Sequence, residues 1–414
     1  MYIVIHKYMK ISILIFLALA LQACSFQNKE QGITEVAENP NVKIIDIDKG
    51  VYKKSISFEN YFNVPKTILL ETSEKCLIRE IQSLEIFENK IYILDSRANN
   101  LYVFDMEGNY LYQIASSGAG PGEYVQISDF TIDRNTHTIY VFDESASKVH
   151  KYNLQTKQYV SSIDVPKTGN QHFYLQYADN RLFVNETALD GKEPKHLLKM
   201  LDAESGELEK LFLDSKVYNK GWNLTLRNYH NHFYGKGTTS PKFIELFMDR
   251  IFSVGDEGIT PSYIVRSKDF VTDEDVLNLV NTYYENGELY NFMSVATANK
   301  IYHIENYVES ESFVYFRFQR GISQQHLFYN KQNGTILLTD NFTNDYFAKN
   351  FSMNLNFCYY DNSGAYGYIP TESLSLIKHH IIDENLLNPQ IDNYESIKNI
   401  EEDSNPIIIY FPYK

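Results

Sequence analysis

The sequence predicts an all-β fold in which one four-stranded unit recurs six times, and three observations carry that prediction. Aromatic residues make up 14% of the 414-residue chain, with 33 Tyr and 26 Phe against a single Trp, and Tyr and Phe suit half-buried pleated surfaces. From about residue 76, short aromatic or β-branched runs alternate with Gly, Asn and Asp turns, as successive strands do. These runs repeat, since Lys90-Ile91-Tyr92-Ile93-Leu94-Asp95 returns as Thr138-Ile139-Tyr140-Val141-Phe142-Asp143. A unit of roughly 40 to 50 residues with four strands is the spacing of a β-propeller blade, whereas a helical solenoid would space its apolar residues at 3 and 4.

Before the repeat comes an address. His6, Lys7 and Lys10 precede the unbroken apolar run Ile11 to Leu21, which falls short of the roughly 20 residues of a resident membrane helix. These are the n-region and h-region of a secretory signal. The run ends in Leu21-Gln22-Ala23-Cys24, which resembles the lipobox of bacterial lipoproteins. That resemblance implies cleavage before Cys24, a diacylglycerol on its thiol and acylation of its new amine. Several acyl chains anchor a protein stably where one does not. Ser25 after the cysteine is similar to outer-membrane rather than inner-membrane lipoproteins. Residues 1–23 are thus expected to be signal peptide, 24–41 a polar tether, and 42–414 the propeller.

Along the propeller, blade one is expected from Cys76 to Ala115 and blade two from Ile127 to Val165. Blade three then covers Phe173 to Leu213, blade four Leu224 to Val265, and blade five Ile301 to Phe342. Thr272-Asp273-Glu274-Asp275 before Val276-Leu277-Asn278-Leu279-Val280 reads as an N-cap, an acidic first turn and an apolar stripe, hence a helix inserted near 272–285. Blade six starts near Leu355, and Pro370 introduces a second helical insertion near 371–400. The last strand, Pro406 to Phe411, has nothing after it, and the early strand Val42 to Ile47 has no blade of its own. A ring must pair its ends to remove exposed edges, so both are expected to complete blade six.

Asp95-Ser96-Arg97-Ala98-Asn99-Asn100-Leu101-Tyr102-Val103-Phe104, then Gly108, then Gly118-Ala119-Gly120-Pro121-Gly122-Glu123-Tyr124 resembles the NHL repeat, in which a strand ending in Asp precedes a Gly-Pro-Gly loop. With the lipobox, the chain is similar to the 6-bladed β-propeller lipoproteins of Bacteroidetes. The motif is clear in blades one and two and degenerate from blade three onward. The resemblance implies fold and compartment but no activity.

Composition excludes several classes. With 43% hydrophobic and 22% charged residues, 19 Gly, 11 Pro and 3 Cys, the chain is not disordered, collagen-like or a disulfide-stapled miniprotein. Its 38 basic against 53 acidic residues, net −15, exclude a general nucleic-acid binder. Neither G-x-S-x-G nor H-E-x-x-H is present. The Gly118–Gly122 loop is followed by an acid and a strand rather than a helix, which argues against a phosphate cradle. Asp46-Ile47-Asp48-Lys49-Gly50 lacks the remaining ligands of a calcium loop. His230-Asn231-His232 and His379-His380 lack a third metal ligand at a recognisable spacing. No metal and no cofactor are expected. Cys76 and Cys358 fall in blades that adjoin once the ring closes, and two buried free thiols are favoured over a disulfide. The exposed-aromatic candidates are Tyr283, Tyr284 and Tyr290, beside the inserted helix.

Two functional classes remain. One is a binding module in the cell envelope for a glycan, peptide or partner protein; the other is a hydrolase or lyase at the channel mouth. The missing nucleophile and metal signatures favour binding. The innermost strand of each blade should line the channel, and the repeat phase puts Glu85, Asp129, Gln176, Arg227, Glu305 and Asn356 there. Arg227, read as a lone cation among carboxylates, is the expected orienter of an anionic group.

Overall fold

Apolar runs with a period of two bury both faces of a strand when neighbouring blades pack face to face. In blade one, Ile91, Ile93, Tyr102 and Phe104 point into a cluster shared with Tyr359, Tyr366 and Ile408 of blade six. The alternate residues Tyr92, Leu94, Leu101 and Val103 pack instead against Phe130, Ile139 and Val141 of blade two. Tyr140 and Phe142 continue the pattern into Leu175 and Leu182 of blade three. The tyrosines at alternate strand positions are therefore inter-blade packing.

The computed structural model describes residues 32–36, 38–118, 120–167, 172–189, 191–224, 232–286, 299–349 and 356–414. The chain divides after Ile33, and Thr34–Lys414 is a six-bladed β-propeller. Blade one comprises Ser83–Phe87, Lys90–Asp95, Asn100–Asp105 and Tyr110–Gln113. Blade two comprises Ile127–Asp133, Thr138–Asp143, Lys148–Asn153 and Gln158–Asp164, and blade three Leu175–Ala178, Arg181–Asn185, His196–Asp202 and Leu208–Asp214. Blade four comprises Phe233–Tyr234, Lys242–Phe243, Arg250–Gly255 and Gly258–Arg266, and blade five Ile301–Glu309, Phe313–Arg320, Ser323–Asn330 and Ile336–Thr339. The strands within each blade are antiparallel. Tight two-residue turns such as Glu88-Asn89 and Asp179-Asn180, with both residues at positive φ, join inner to second strands as type I′ hairpins.

Blade six is assembled from both ends of the chain. Its order is Asn356–Tyr360, Gly364–Ile369, Ile407–Pro412 and finally Lys66–Leu69. The C-terminal strand holds its expected place, but the N-terminal contribution is Lys66–Leu69 and not the run Val42 to Ile47. That earlier run forms Lys43–Asp46, a fifth strand added in parallel to Gly258–Arg266 of blade four. Val51–Tyr52 adds likewise to Ile336–Thr339 of blade five. The N-terminal chain thus straps the outer edges of two blades before it closes the third. Chain direction explains the correction: a strand running along successive rims meets each outer strand in parallel, and only one further along reaches blade six.

Two insertions leave the repeat. The helix Asp273–Asn286 starts at a reciprocal cap: Asp275 N donates to Thr272 Oγ1 at 3.2 Å, and Thr272 N donates to the Asp275 carboxylate at 2.8 Å. Its Val276 and Leu279 pack on Trp222, Leu224, Leu246 and Phe247. Between the second and third strands of blade six, Leu374–Ile377 and Tyr394–Lys398 place Leu374, Ile377 and Ile397 in the same core as blade five.

Candidate functional site

Inner strands of neighbouring blades diverge too far to share a backbone ladder, so their inward N–H groups need other acceptors. Polar side chains supply them. Asp129 Oδ2 accepts from Leu175 N at 2.9 Å, Thr131 Oγ1 from Tyr177 N at 3.2 Å, and Asn306 Oδ1 from Phe357 N at 2.6 Å. Polar residues on the inner strands therefore have a packing role, contrary to the sequence argument that singled them out as ligand groups.

Of the six expected channel residues, five lie on inner strands of the ring and all five have partners. Asp129 is fully buried and Lys236 Nζ meets both its oxygens at 2.8 Å, with Phe130 O at 2.7 Å. Glu85, also fully buried, receives Arg134 Nη2 at 3.0 Å, and burial raises its pKa despite Arg134 and Lys236. Glu305 faces Arg317 at 3.3 Å and accepts from Gln324 at 3.0 Å, and Arg317 donates to Asn356 Oδ1 at 2.8 Å. Gln176 donates to Tyr177 O at 2.6 Å. Arg227 lies outside the described residues. Blade four's inner strand, Phe233–Tyr234, pairs with Lys242–Phe243 later in the chain than the repeat phase expects. The picture of one cation among carboxylates is corrected: Arg134, Lys236 and Arg317 each answer a carboxylate. Sequence reasoning missed these cations because they sit in turns or on second strands, off the inner-strand phase.

These ion pairs crowd the axis. The narrow space lined by Gln82, Lys236, Asn306, Arg317 and Tyr359 measures about 70 Å³, room for a few waters. At one end of the ring the space opens. Between blades one, two and three lies a pocket of about 350 Å³, lined by Gln82, Arg97, Gln126, Ser128, Glu144 and Phe173 among others, within the size range of small-ligand sites. Gln82 lines both spaces.

Local structure builds this mouth. In blades one to three the second strand ends in an acceptor that clamps the chain leading into the inner strand. Asp95 accepts from Arg79 N at 2.6 Å and Ala98 N at 2.9 Å. Asp143 accepts from Val125 N at 2.6 Å and Ala146 N at 3.0 Å. In blade three Asn185 takes the position, accepting from Phe173 N and Tyr174 N at 3.0 and 2.8 Å. Next to the clamp in blade two, the register skips between Ile127 and Asp129, so Ser128 is a bulge residue. Its hydroxyl is buried and has no hydrogen-bond partner among the described residues. Across the mouth, Arg97 Nε meets Glu80 Oε2 at 2.6 Å.

Other chemistry-bearing groups are accounted for elsewhere. Inside blade three, Lys199 is fully buried, 2.7 Å from His172 Nε2, beside Glu186, which pairs with His196. Burial brings Lys199 down to about 8 and His172 down to about 4, but none of the four lines the mouth. At the far end of the ring, Glu309 is held down at about 2, against its burial, by Lys242 and Lys331. In the Gly118–Gly122 loop the Glu123 carboxylate already accepts from Gly120 N at 2.8 Å, which leaves no cradle for phosphate. Asp48 caps Ser267 Oγ and Lys268 N, both at 2.8 Å. His232 lies 3.6 Å from Glu245, and His379 meets Asp383 on an exposed helix. His230, Tyr290 and the side chains of Tyr283 and Tyr284 lie outside the described residues, as does Cys24. Cys76 and Cys358 are both free. Among the described residues no group of three or more ligating side chains is placed to hold a metal, and no helix is long and apolar enough to cross a membrane.

Residues 42–412 match a family described as a domain of unknown function, DUF4934. Among solved structures, the chain is similar to a protein from Bacteroides fragilis described as exported, at 17% identity over 90% of this chain and 100% of that one, with a TM-score of 0.69. It is also similar to a member of the DUF4221 family from Bacteroides vulgatus, at 13% identity over 85% of this chain and 97% of that one, with a TM-score of 0.51. At such identities the likeness is one of fold. No curated protein matches.

Proposed function

The chain belongs to the DUF4934 family, and from that premise we propose that it is a cell-envelope lipoprotein whose propeller binds a ligand at one mouth of the ring. One observation carries the reading: the ion-paired axis is narrow, while a larger pocket of mixed polar and apolar lining opens between blades one, two and three. A rigid scaffold that clamps its loops with Asp95, Asp143 and Asn185 presents such a pocket preformed, which lowers the ordering cost of binding. The recurrence of that clamp is also what supports kinship with NHL-type repeats. A similar fold in a protein described as exported supports the compartment. The apolar run and Leu21-Gln22-Ala23-Cys24 support anchorage through Cys24 in the outer membrane.

The test has two arms. Mass spectrometry of the wild-type protein should find acyl chains on Cys24, and Cys24→Ala should yield an uncleaved or soluble form. For the pocket, a fragment screen followed by substitution of Gln126 and Phe173 should map binding to the mouth. Turnover of ester or glycoside substrates, or stoichiometric metal in the purified protein, would replace binding by catalysis.

A further inference from the structure

We infer that the mouth pocket takes the end of a neutral saccharide, a deepening that rests on the pocket being the ligand site. Its charges argue first. Among the described residues the charged groups lining it are Glu80, Arg97 and Glu144, and Arg97 is already engaged by Glu80 at 2.6 Å. Among the described lining residues an anionic ligand meets no unopposed cation. Phosphate and polyanions are therefore disfavoured by chemistry as well as by the chain's net charge of −15.

The hydrogen-bonding groups argue next. Gln82, Gln126 and Ser128 each both donate and accept, and so does a sugar hydroxyl. Carboxylates beside them accept from hydroxyls in charge-assisted bonds. Ser128 is the sharpest feature. Its place in a β-bulge re-aims the side chain, as bulges beside binding sites do. A buried hydroxyl without a partner is costly, and a ligand hydroxyl at that point would complete it. Apolar surface comes from Ile127, Phe173 and Tyr174, with the half-buried Phe173 ring offering a platform for the C–H face of a pyranose. A peptide would call for a free strand edge or a deep apolar pocket, and this mouth offers an open cup of about 350 Å³ in which hydrogen-bonding and apolar groups are mixed.

Saturation-transfer NMR on the full chain tests this, with methyl glucoside, methyl mannoside, N-acetylglucosamine and maltose as neutral probes. Glucose 6-phosphate, glucuronate, spermidine and a tripeptide serve as charged and peptidic probes. The expected result is binding of at least one neutral glycoside at a Kd on the order of 1 mM or tighter, weakened about ten-fold by Ser128→Ala, Gln126→Ala and Phe173→Ala. Ser128→Ala deletes a hydroxyl that has no partner among the described residues, so its melting temperature should be no lower than that of wild type and loss of binding cannot be blamed on unfolding. If only a charged or peptidic probe binds, and the same variants weaken it, the saccharide assignment falls and the mouth site stands. If nothing binds, or if binding ignores all three substitutions, the assignment and the site fall together.

Discussion

Asp129 holds the axis through two different services, and substitution can separate them. Its carboxylate neutralises Lys236 and also accepts from Leu175 N. Lys236→Met strands a fully buried carboxylate and should cost about 3–5 kcal/mol, the range for breaking a buried pair from one side. Asp129→Asn combined with Lys236→Met keeps the acceptor for Leu175 N while removing both charges, so it should recover more than half of that loss in urea unfolding. Equal losses in the single and double variants would show that the pair is not what matters. Titration offers a second residue-level prediction. Burial, reinforced by Lys199 and Arg317 respectively, brings His172 and His326 down to about 4. Their unfolded forms take a proton near 6.5, so stability should fall as pH drops from about 6.5 to 4, by on the order of 3 kcal/mol per histidine, and then level off. Glu309, at about 2, acts in the next window: its stabilisation is intact above about 4.5 and is lost as pH falls through 2. His326→Gln should shrink the first phase and Glu309→Gln should shrink the second, read as urea midpoints across pH. A single slope unchanged in both variants would refute the assignment. Strand phase alone made Glu85, Asp129, Gln176, Glu305 and Asn356 legible as inner-strand residues. It could not reveal Arg134, Lys236 or Arg317, because tertiary contact and not period brings a turn cation to a neighbour's carboxylate.

The N-terminal straps show how far element patterns can be read. Blades one to three carry four strands of four to seven residues each, long enough for alternation and turn signals to register. Blade four opens with two strands of two residues each, too short for any period, and its inner strand was accordingly misplaced. Parallel addition of Lys43–Asp46 and Val51–Tyr52 leaves no motif at all, since an edge accepts any strand with free N–H and C=O groups. Between the two straps, Asp48 is the fastening: it accepts from Ser267 Oγ and Lys268 N, and those bonds with Lys268 hold its pKa below the usual carboxylate range despite some desolvation. Asp48→Ala should therefore loosen the strap locally by about 1 kcal/mol while leaving the global unfolding midpoint nearly unchanged. Hydrogen exchange should quicken in Lys43–Asp46 and along the outer strand of blade four. Faster exchange spread evenly over all six blades would mean that the strap is not an independent unit.

Closure is the property of the whole ring, and it depends on strands that the chain supplies from opposite ends. Ile407–Pro412 sits between Gly364–Ile369 and Lys66–Leu69, bonded to both. The seam continues past the sheet. Asn63 N donates to Pro412 O at 2.8 Å, and Asn405 Nδ2 reaches Glu71 O and Cys76 O at 2.7 Å. At the blade one side, Gly108 turns with φ +90 directly against the carbonyl of Leu69, where a Cβ has no room, and its own carbonyl accepts from Glu71 N at 2.8 Å. Removing the C-terminal strand therefore exposes two edges at once, and strips Ile407, Ile409 and Phe411 from the core shared with blade five. A chain ending at Asp403 should aggregate or lose its cooperative melt. A synthetic peptide spanning Asn405 to Lys414, added in trans, should restore the melt, because pairing by strand addition needs the strand and not its covalent link. A scrambled peptide of the same composition controls for a non-specific effect. If the shortened chain melts as sharply as the full one without any peptide, blade six is dispensable and the ring does not depend on its seam.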